Sequence, residues 1–348
     1  MSYPQFSRNL NPEFFATLKK RVDNYFKENN LNRYGNWPMV WKTLFTFTLY
    51  LAPLAIIVFY TPQSLLLIFG LWILAGLGKA AVGLNVMHDA NHGSYSSISW
   101  VNKIMARSMN LLGGNARIWQ VQHNVLHHTF TNVSGHDDDL EGPGFLRFSP
   151  HQKKRKIHRY QHIFAWFPYS LMTLQRFVKS DFDQLFRYKR EGLLKGSGNL
   201  WKEFVLIVFW KLIYIGLFIV LPMVAVPEHW GIMLMGFITM HLIAGLILAL
   251  IFQTAHIMPQ TEFPLPNDSN QIENHWAIHQ LQTTLNFAMR SRWFSWLVGG
   301  LNFQVEHHLF QNISHVHYRK LSPIVAQTAK EFGLPYHNER TFFGAIQG

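Results

Sequence analysis

The chain of 348 residues contains no cysteine and few charged residues. Without cysteine it can form no disulfide, no thiolate zinc site and no cysteine-ligated iron–sulfur cluster, and it has no thiol nucleophile. Charged residues make up 14% and hydrophobic residues 49% of the chain, whereas an average soluble domain has about 25% charged residues. This imbalance argues against an ordinary cytosolic globule. Histidine is abundant, with 19 residues, so any metal must be held by imidazole, carboxylate or amide groups.

Charge is missing from long continuous blocks. Residues 43–78 are 36 consecutive positions without Asp, Glu, Lys or Arg. As one helix this block would be about 54 Å long, well beyond the roughly 30 Å hydrocarbon core of a bilayer. Thr61-Pro62-Gln63 offers a break, because proline cannot continue a helix. A second pair of apolar blocks flanks Pro227-Glu228-His229.

These blocks predict an all-α membrane protein with four transmembrane helices in two hairpins, near residues 43–60, 64–86, 204–226 and 230–252. The alternative, buried helices of a soluble core, fits the block lengths poorly. Lys79 and Lys211 lie near the ends of their spans, so we expect both side chains to reach the membrane interface.

The basic residues predict the orientation. Residues 1–42 hold seven Lys and Arg, nearly all the others lie in 87–203 or after 256, and the two short connections hold none. By the positive-inside rule, both termini and the long middle segment face the cytoplasm. The first apolar block starts about 40 residues in, unlike a cleaved signal peptide. We therefore expect a cytoplasmic N-terminal segment (1–42), one membrane domain with a cytoplasmic helical cap (43–330) and a C-terminal tail (331–348).

The middle segment is strongly basic. Between Arg147 and Lys195 there are twelve Lys and Arg but three Asp and Glu, interleaved with aromatic residues. One interpretation is an amphipathic cap on anionic headgroups, which could also dock an acidic redox partner. The alternative is a solvated basic face beside the spans. No nucleic-acid-binding motif accompanies the charge, so we expect no nucleic-acid partner.

Histidine occurs in three clusters next to the predicted spans: His88-Asp89-Ala90-Asn91-His92, His123-Asn124-Val125-Leu126-His127-His128 and Gln304-Val305-Glu306-His307-His308. Residues four apart share a face of a helix, so the first two clusters can each aim two imidazoles at one centre. Adjacent histidines diverge by about 100° around the axis, which suits two neighbouring metals. Gln304 shares the face of the last pair.

Imidazole-rich sites suit iron, copper, zinc or nickel rather than magnesium or calcium. The chain has no Glu-x-x-His, which excludes the soluble carboxylate di-iron bundle, and no His-Glu-x-x-His, which disfavours a zinc protease.

Other histidines are weaker candidates. His256, at the cytoplasmic end of the fourth span, is favoured as a ligand over a capping role. His241 lies mid-span and is expected to be a hydrogen-bonded bundle residue. The pair His275 and His279 has the ligand spacing but is interpreted as structural or surface. For His315 and His317, an orienting role and a surface role are evenly matched. Asp89 and Asp137-Asp138-Asp139 are candidates to orient imidazoles, with a solvated loop as the alternative for the acidic run.

The motifs HDANHGS, HNVLHHTFTN and NFQVEHHLFQNISHVHY resemble the three histidine boxes of the integral-membrane fatty acid desaturases, over roughly residues 45–330. The resemblance implies a non-haem di-iron centre with dioxygen as oxidant and a long fatty acyl chain in a kinked tunnel. The implied ligands are His88, His92, His123, His127, His128, His256, His307 and His308.

Gln304 at the head of the third box is similar to front-end desaturases, which insert a double bond between an existing one and the carboxyl end. Many of those carry a fused cytochrome-b-type domain with a His-Pro-Gly-Gly signature, which is absent from this sequence. We therefore expect a separate electron donor, a ferredoxin or a cytochrome-b-type protein with its reductase.

Two other functions compete with desaturation. A lipid hydroxylase or ketolase would use the same iron centre and return oxygen to carbon. A divalent-metal transporter would place its ligands near the bilayer midplane, whereas these clusters lie outside the predicted spans.

Overall fold

A computed structural model of the chain describes residues 3–7, 12–140, 142, 144–194 and 199–347. The sequence predicts that both chain ends are cytoplasmic, but the end residues Met1 and Gly348 lie outside the described residues. Lys195, the last residue of the strongly basic stretch, also lies outside them. Within the described part the architecture is helical, with two very short two-stranded sheets. The fold class is confirmed as all-α, and the protein is an integral membrane protein by its four long apolar helices.

The four candidate spans are all longer than the apolar blocks alone predict. They cover Trp37–Tyr60, Leu65–Asn91, Leu200–Ala225 and Pro227–His256. Hydropathy marks the part of a helix that faces hydrocarbon. The second and fourth spans continue where protein buries His88 and His256, whereas the added first turns of the first and third spans leave Trp37 and Trp201 exposed. The caps fix the starts: the side chains of Asn36, Ser64 and Asn199 each accept a hydrogen bond from a backbone N–H of the first turn.

Two spans contain π-helical turns. The second span runs as α-helix over Leu65–Val82, π-helix over Gly83–Met87 and α-helix over His88–Asn91. The third is α-helical over Leu200–Ile215, π-helical over Gly216–Val220 and α-helical over Leu221–Ala225. The fourth is a continuous α-helix, Trp230–His256, after a 3₁₀ turn at Pro227–His229.

The second span packs between the first and the fourth. A Cβ at Gly78 would lie 2.4 Å from the backbone nitrogen of Tyr50, and a Cβ at Gly236 would lie 2.1 Å from the ring of Trp72. Only glycine allows these close approaches between helices. At the opposite end of the spans from His88 and His256, Gln63 Nε2 donates to Glu228 Oε1 over 3.2 Å, so the two short connections lie side by side.

The two span lysines do not reach the interface as expected. Lys79 is buried and donates to Tyr214 Oη over 2.8 Å, while Lys211 is buried and pairs with Asp181 Oδ2 at 2.9 Å. Local hydrogen-bond partners inside the bundle satisfy both ammonium groups, so neither has to leave it. His241 joins the Lys79 cluster, which confirms it as a hydrogen-bonded bundle residue.

Most of the shorter helices lie around one end of the spans, whereas the two within residues 166–175 pack beside the fourth span. The α-helices are Pro12–Glu28, Ser99–Ala106, Ser108–Leu111, Ala116–Gln120, His128–Phe130, Gln161–Phe164, Trp166–Ser170, Met172–Gln175, Asp181–Arg190, Trp276–Thr283, Arg292–Leu297, Gln304–Leu309, Tyr318–Glu331 and Phe342–Gln347. The π-helices are Val121–His127 and Arg176–Ser180, and the 3₁₀ turns are Asp138–Leu140, Lys156–Tyr160 and His315–His317. Gln5–Phe6 pairs in parallel with Gln271–Ile272, and Asn286–Phe287 with Asn338–Glu339.

A second hydrophobic core holds the chain segment of the third histidine cluster in place. The amphipathic helix Pro12–Glu28 packs against Tyr318–Glu331, and Phe14, Leu18 and Leu309 belong to the same buried cluster. An ion pair from Arg21 to Glu331, at 2.6 Å, lies at the rim of this contact. The site therefore rests on packed helices rather than on free loops.

Candidate metal centre

The first histidine cluster lies at the end of the second span. His88 begins the last helical turn and His92 ends it, and their ring centroids are 4.7 Å apart. His88 is buried, whereas His92 is half-buried. The expectation that residues four apart on this helix share a face is confirmed by this distance.

The second cluster is held by a π-helix rather than by an α-helix. His123 and His127 lie within Val121–His127, with stacked rings 5.2 Å apart, and His128 begins the next turn. Single π-helical turns occur frequently at functional sites, since the extra residue redirects the side chains. Nothing in the spacing of the histidines indicated this conformation.

The third cluster forms the short helix Gln304–Leu309, on which His307 and His308 point in different directions. His307 lies 4.4 Å from His88, ring centroid to ring centroid, while His308 lies 4.8 Å from His256. His256 is the last residue of the fourth helix. The adjacent pair thus faces two different sets of neighbours.

All eight predicted ligands converge in one buried region and form overlapping groups of ring nitrogens. Within each group these nitrogens lie within 4.8 Å of one another. The first group is His88, His92, His123 and His307, the second is His127, His256 and His308, and His128 groups with His307 and His308 between them. Four segments far apart in the sequence therefore offer two adjacent imidazole-lined positions.

The outer nitrogens of several rings are held by hydrogen bonds. His127 Nδ1 lies 3.1 Å from Asp137 Oδ1, and His307 Nδ1 lies 3.1 Å from Tyr318 Oη. His308 Nδ1 lies 2.8 Å from Gln280 Oε1, and the ring of His256 meets the carbonyl of Thr283 at 3.1 Å. Such contacts fix the tautomer and the orientation of metal-binding histidines.

The ring nitrogens that face the centre of the histidine cluster, the inner nitrogens, have few such hydrogen bonds. Among the described residues, the buried Nε2 atoms of His127, His307 and His308 have no hydrogen-bond partner. The Nε2 atoms of His88 and His128 lie 3.2 and 3.3 Å from that of His123. Buried polar nitrogens without partners are costly unless a ligand binds them. The donor set therefore fits transition-metal ions, and in His127, His256, His307 and His308 one ring nitrogen is anchored while the other has no partner in the described part of the chain.

Burial and mutual repulsion keep most of these imidazoles neutral. Burial, followed by neighbouring imidazoles, holds the pKa values of His123, His128, His307 and His308 well below the ordinary range. Burial alone would also lower the pKa of His127, but the carboxylates of Asp137 and Asp139 outweigh it and raise that pKa to about 9. Neutral imidazole is the form that binds metals.

Gln304 lies in the same buried region, next to the ring of His256. It begins the helix that carries His307 and His308. An amide can contact a metal through its carbonyl or hydrogen-bond a bound water. The structure thus brings Gln304 together with the eight histidines.

Of the remaining sequence candidates, Asp139 lies with His123 and His127. The others, Asp89, His275, His279, His315 and His317, lie outside the imidazole groups. Asp89 accepts hydrogen bonds from His315 and Ser314 rather than orienting a cluster histidine, while His317 Nε2 lies 3.2 Å from the carbonyl of Tyr34. His275 caps the helix Trp276–Thr283 and His279 is buried, so this pair is structural.

Sequence reasoning missed several side chains around the cluster. Gln280, Tyr318 and Thr131 contact ring nitrogens, and Trp119 stacks on His123 at 4.4 Å. Thr131 lies in the motif HNVLHHTFTN and Tyr318 ends the motif NFQVEHHLFQNISHVHY, so the sequence contained a signal for both residues. Nothing local marks Gln280, which is brought in by tertiary packing.

A cavity of about 320 Å³ reaches the cluster. His123, His127 and His256 line one part, and Lys79 and Thr173 line another. The wall between them is largely apolar and includes Gly83, Met87, Met109, Leu112, Leu248, Ala249, Phe252, Tyr169, Leu171 and Met172. Its position between the second and fourth spans suits a long apolar chain that enters from a membrane.

Comparison with known proteins agrees with this geometry. A sequence model of the family described as fatty acid desaturase matches residues 62–340. The chain belongs to the fatty acid desaturase family. The match contains all three histidine clusters and His256, and the first span precedes it.

Named relatives of this desaturase are similar over nearly the whole chain. It is 34% identical to the sn-1 linoleoyl-lipid 6-desaturase of Arthrospira platensis over 96% of this chain and 89% of that protein. It is 36% identical to the acyl-lipid (8-3)-desaturase of Physcomitrium patens over 97% of this chain and 70% of that protein. The resemblance stated from the motifs is thus confirmed, and the chain is an oxidoreductase of the desaturase type.

Proposed function

We propose that this desaturase holds two irons with His88, His92, His123, His127, His128, His256, His307 and His308, and inserts a double bond into a long acyl chain carried by a membrane lipid. The observation that carries the proposal is the convergence of these eight imidazoles, several with inner nitrogens unpartnered among the described residues, beside a largely apolar cavity that three of them line. The di-iron assignment is favoured by two adjacent imidazole groups rather than one.

The reaction needs more than acid–base chemistry. A methylene of an acyl chain has neither an acidic proton nor a leaving group, so a general base or a nucleophile cannot remove its hydrogens. Two irons at these histidines would supply the oxidising chemistry with dioxygen. For each double bond, two hydrogens leave neighbouring carbons, and one dioxygen with two electrons and two protons from outside ends as two waters.

The protein's own residues position the imidazoles and the acyl chain, and they exclude water from the site. Asp137, Tyr318 and Gln280 hold three imidazoles in fixed orientations, which keeps the two imidazole groups at constant separation. The apolar walls of the cavity hold the chain beside them and exclude water. Gln304 is proposed to contribute at the same site, as a weaker donor than imidazole.

The regiochemistry is proposed from Gln304 and from the relatives together. The names of two relatives specify a 6-desaturase acting on a linoleoyl-lipid and an acyl-lipid (8-3)-desaturase. Both names support an acyl-lipid substrate here. With the front-end character of the third box, we propose that the new double bond lies between an existing one and the carboxyl end.

The electrons are proposed to come from a separate ferredoxin or cytochrome-b-type protein with its reductase. The 348 residues contain neither cysteine for an iron–sulfur cluster nor a His-Pro-Gly-Gly haem signature.

We propose that the metal site and the Lys- and Arg-rich stretches outside the spans face the cytoplasm. A cysteine replacing Lys154 should then be protected from an external thiol reagent, and one replacing Gln63 should be labelled.

Expression in a host of defined fatty acid composition tests the activity. Gas chromatography–mass spectrometry of the lipids should reveal a product two mass units lighter than its precursor, dependent on oxygen and on a reductase chain. The His308→Ala variant, expressed to the same level, is the matched control. A product sixteen units heavier would instead assign hydroxylation, and the desaturation reading would be wrong.

A further inference from the structure

The chain between the second histidine cluster and the third span contains a segment of one charge sign. We call residues 144–180 the basic segment. It holds eight Lys and Arg and no Asp or Glu. Five of the cations are crowded into seven positions and all five are exposed: Lys153, Lys154, Arg155, Lys156 and Arg159.

The C-terminal half of the basic segment lies against the fourth span within the membrane region. The carbonyl of Ser170 lies so close to Gly245 that a Cβ there would be 2.1 Å away, and Thr173 Oγ1 lies 2.9 Å from His241 Nδ1. His241 precedes His256 by 15 residues, about 22 Å along the helix. The segment therefore descends from the level of the cations into the depth of the spans.

Its two faces have different neighbours. Phe148, Pro168 and Tyr169 line the acyl cavity, whereas Ile163 and Phe167 are exposed on the outside, Phe167 by 67%. Since Phe167 and Pro168 are consecutive, the segment is one layer of side chains between the cavity and the exterior. An exposed apolar face at this depth is in contact with lipid.

The cations therefore lie where this lipid-facing wall leaves the hydrocarbon. Exposed Ile157 and Tyr160 lie among them, and alternation of cations with apolar side chains is typical of segments that bind the membrane interface. A cluster of Lys and Arg next to a membrane span attracts anionic lipid headgroups. An acidic protein partner would match the charge but not the apolar side chains between the cations.

We propose that the basic segment is a docking surface for anionic phospholipids, whose phosphate headgroups bind Lys153, Lys154, Lys156 and Arg159 beside the acyl cavity. This placement makes acyl chains of anionic phospholipids the preferred substrate class. That consequence rests on the proposed acyl-lipid activity, whereas the binding of the headgroup does not.

The first test measures binding without turnover. Native mass spectrometry of the purified full chain compares wild type with K153Q/K154Q/K156Q/R159Q and with the control K19Q/K20Q/K27Q/K330Q. The control removes four exposed cations from the helices Pro12–Glu28 and Tyr318–Glu331. Wild type and control should retain phosphatidylglycerol, and the basic-segment variant should lose retention by about tenfold. Equal retention by all three proteins would overturn the proposal.

The second test measures the preference in turnover. In nanodiscs, wild type and control should desaturate phosphatidylglycerol in preference to phosphatidylcholine with the same acyl chains, and the basic-segment variant should show no preference. Retention of phosphatidylglycerol by wild type should also fall as salt is raised, which tests the surface without any substitution. The basic-segment variant could instead keep its preference for phosphatidylglycerol and require a higher concentration of electron donor than wild type. In that case the surface docks the donor, and the proposal is wrong. Absence of desaturation by wild type, with retention as expected, would contradict the proposed function and leave the docking surface standing.

Discussion

Two buried clusters of polar side chains lie within this bundle, and they differ in what their nitrogens contact. In the span cluster, Lys79, Tyr214, His241 and Thr173 hydrogen-bond one another, and both ring nitrogens of His241 have partners within 3.2 Å. In the metal-centre cluster, the Nε2 atoms of His127, His307 and His308 have no partner among the described residues.

What marks the metal centre is several such nitrogens facing one another, since a single buried nitrogen without a partner among the described residues also occurs at the structural His279. A fully satisfied polar network stabilises the packing of the spans around it. A cluster of buried nitrogens that face one another without partners is costly unless something binds between them. Histidine is buried in both clusters, so within the described part of the chain the metal centre is distinguished by several unpartnered ring nitrogens that converge.

The largest expected effect comes from removing a ring at the metal centre. His127→Ala and His308→Ala should each abolish activity and reduce bound iron, because each removes one nitrogen of the second imidazole group. The measurement is product formation together with elemental analysis of the purified variants. His229→Ala, in the outer 3₁₀ turn, is the control and should keep both. Full activity in either metal-centre variant would remove that residue from the proposed ligand set.

Substitution of Gln304 sharpens the boundary of the metal centre. Gln304→Ala should lose most activity, because the side chain is buried beside His256, and Gln304→His should retain some, since imidazole is a stronger donor. Initial desaturation rates at equal expression measure both. The exposed Gln327 provides the control, Gln327→Ala. Nearly intact turnover in Gln304→Ala would assign Gln304 to packing alone.

A smaller effect is expected from a carboxylate that only orients a ring. Asp137→Asn weakens the contact to His127 Nδ1, so affinity for iron should fall by about 10–100-fold. Competition with a chelator measures it. Asp138→Asn is the matched control, because Asp138 contacts Arg187 and Tyr188 instead, and it should keep the affinity of wild type. Equal losses in both variants would mean that the acidic run acts only through its total charge.

The smallest effect on the metal should come from the span cluster. His241→Leu leaves Lys79 and Tyr214 without one partner, so we expect a loss of about 1–3 kcal/mol in the free energy of unfolding. Iron content per folded chain should remain that of wild type. Thermal unfolding in detergent and elemental analysis measure the two quantities. Loss of iron without loss of stability would reverse the roles assigned to the two clusters.

Much of this arrangement follows from the sequence. The charge-free blocks give the four spans, and the spacing of the histidines gives the candidate ligands, because both signals are local. The positions of Pro62 and Pro227 give the connections between spans. His256 and His241 lie on the same helix, and their positions along the span, at its end and in its middle, predict different roles for them. The structure places them in different clusters.

What the sequence does not reveal depends on contacts between distant segments. Lys79 and Lys211 look like interfacial cations until Tyr214 and Asp181 are seen beside them. The contact of Gln280 with His308 joins two helices that are 28 positions apart. The descent of residues 166–180 along the fourth span depends on Gly245, a glycine that no local pattern distinguishes from its neighbours.

The iron content of the purified wild-type protein tests the central claim most directly. Protein made in iron-replete cells and analysed for metals should contain two irons per chain, because two adjacent imidazole groups converge at one cavity. The His241→Leu variant should contain the same number and the His308→Ala variant fewer. A single metal per chain, or zinc as the metal required for activity, would contradict the account.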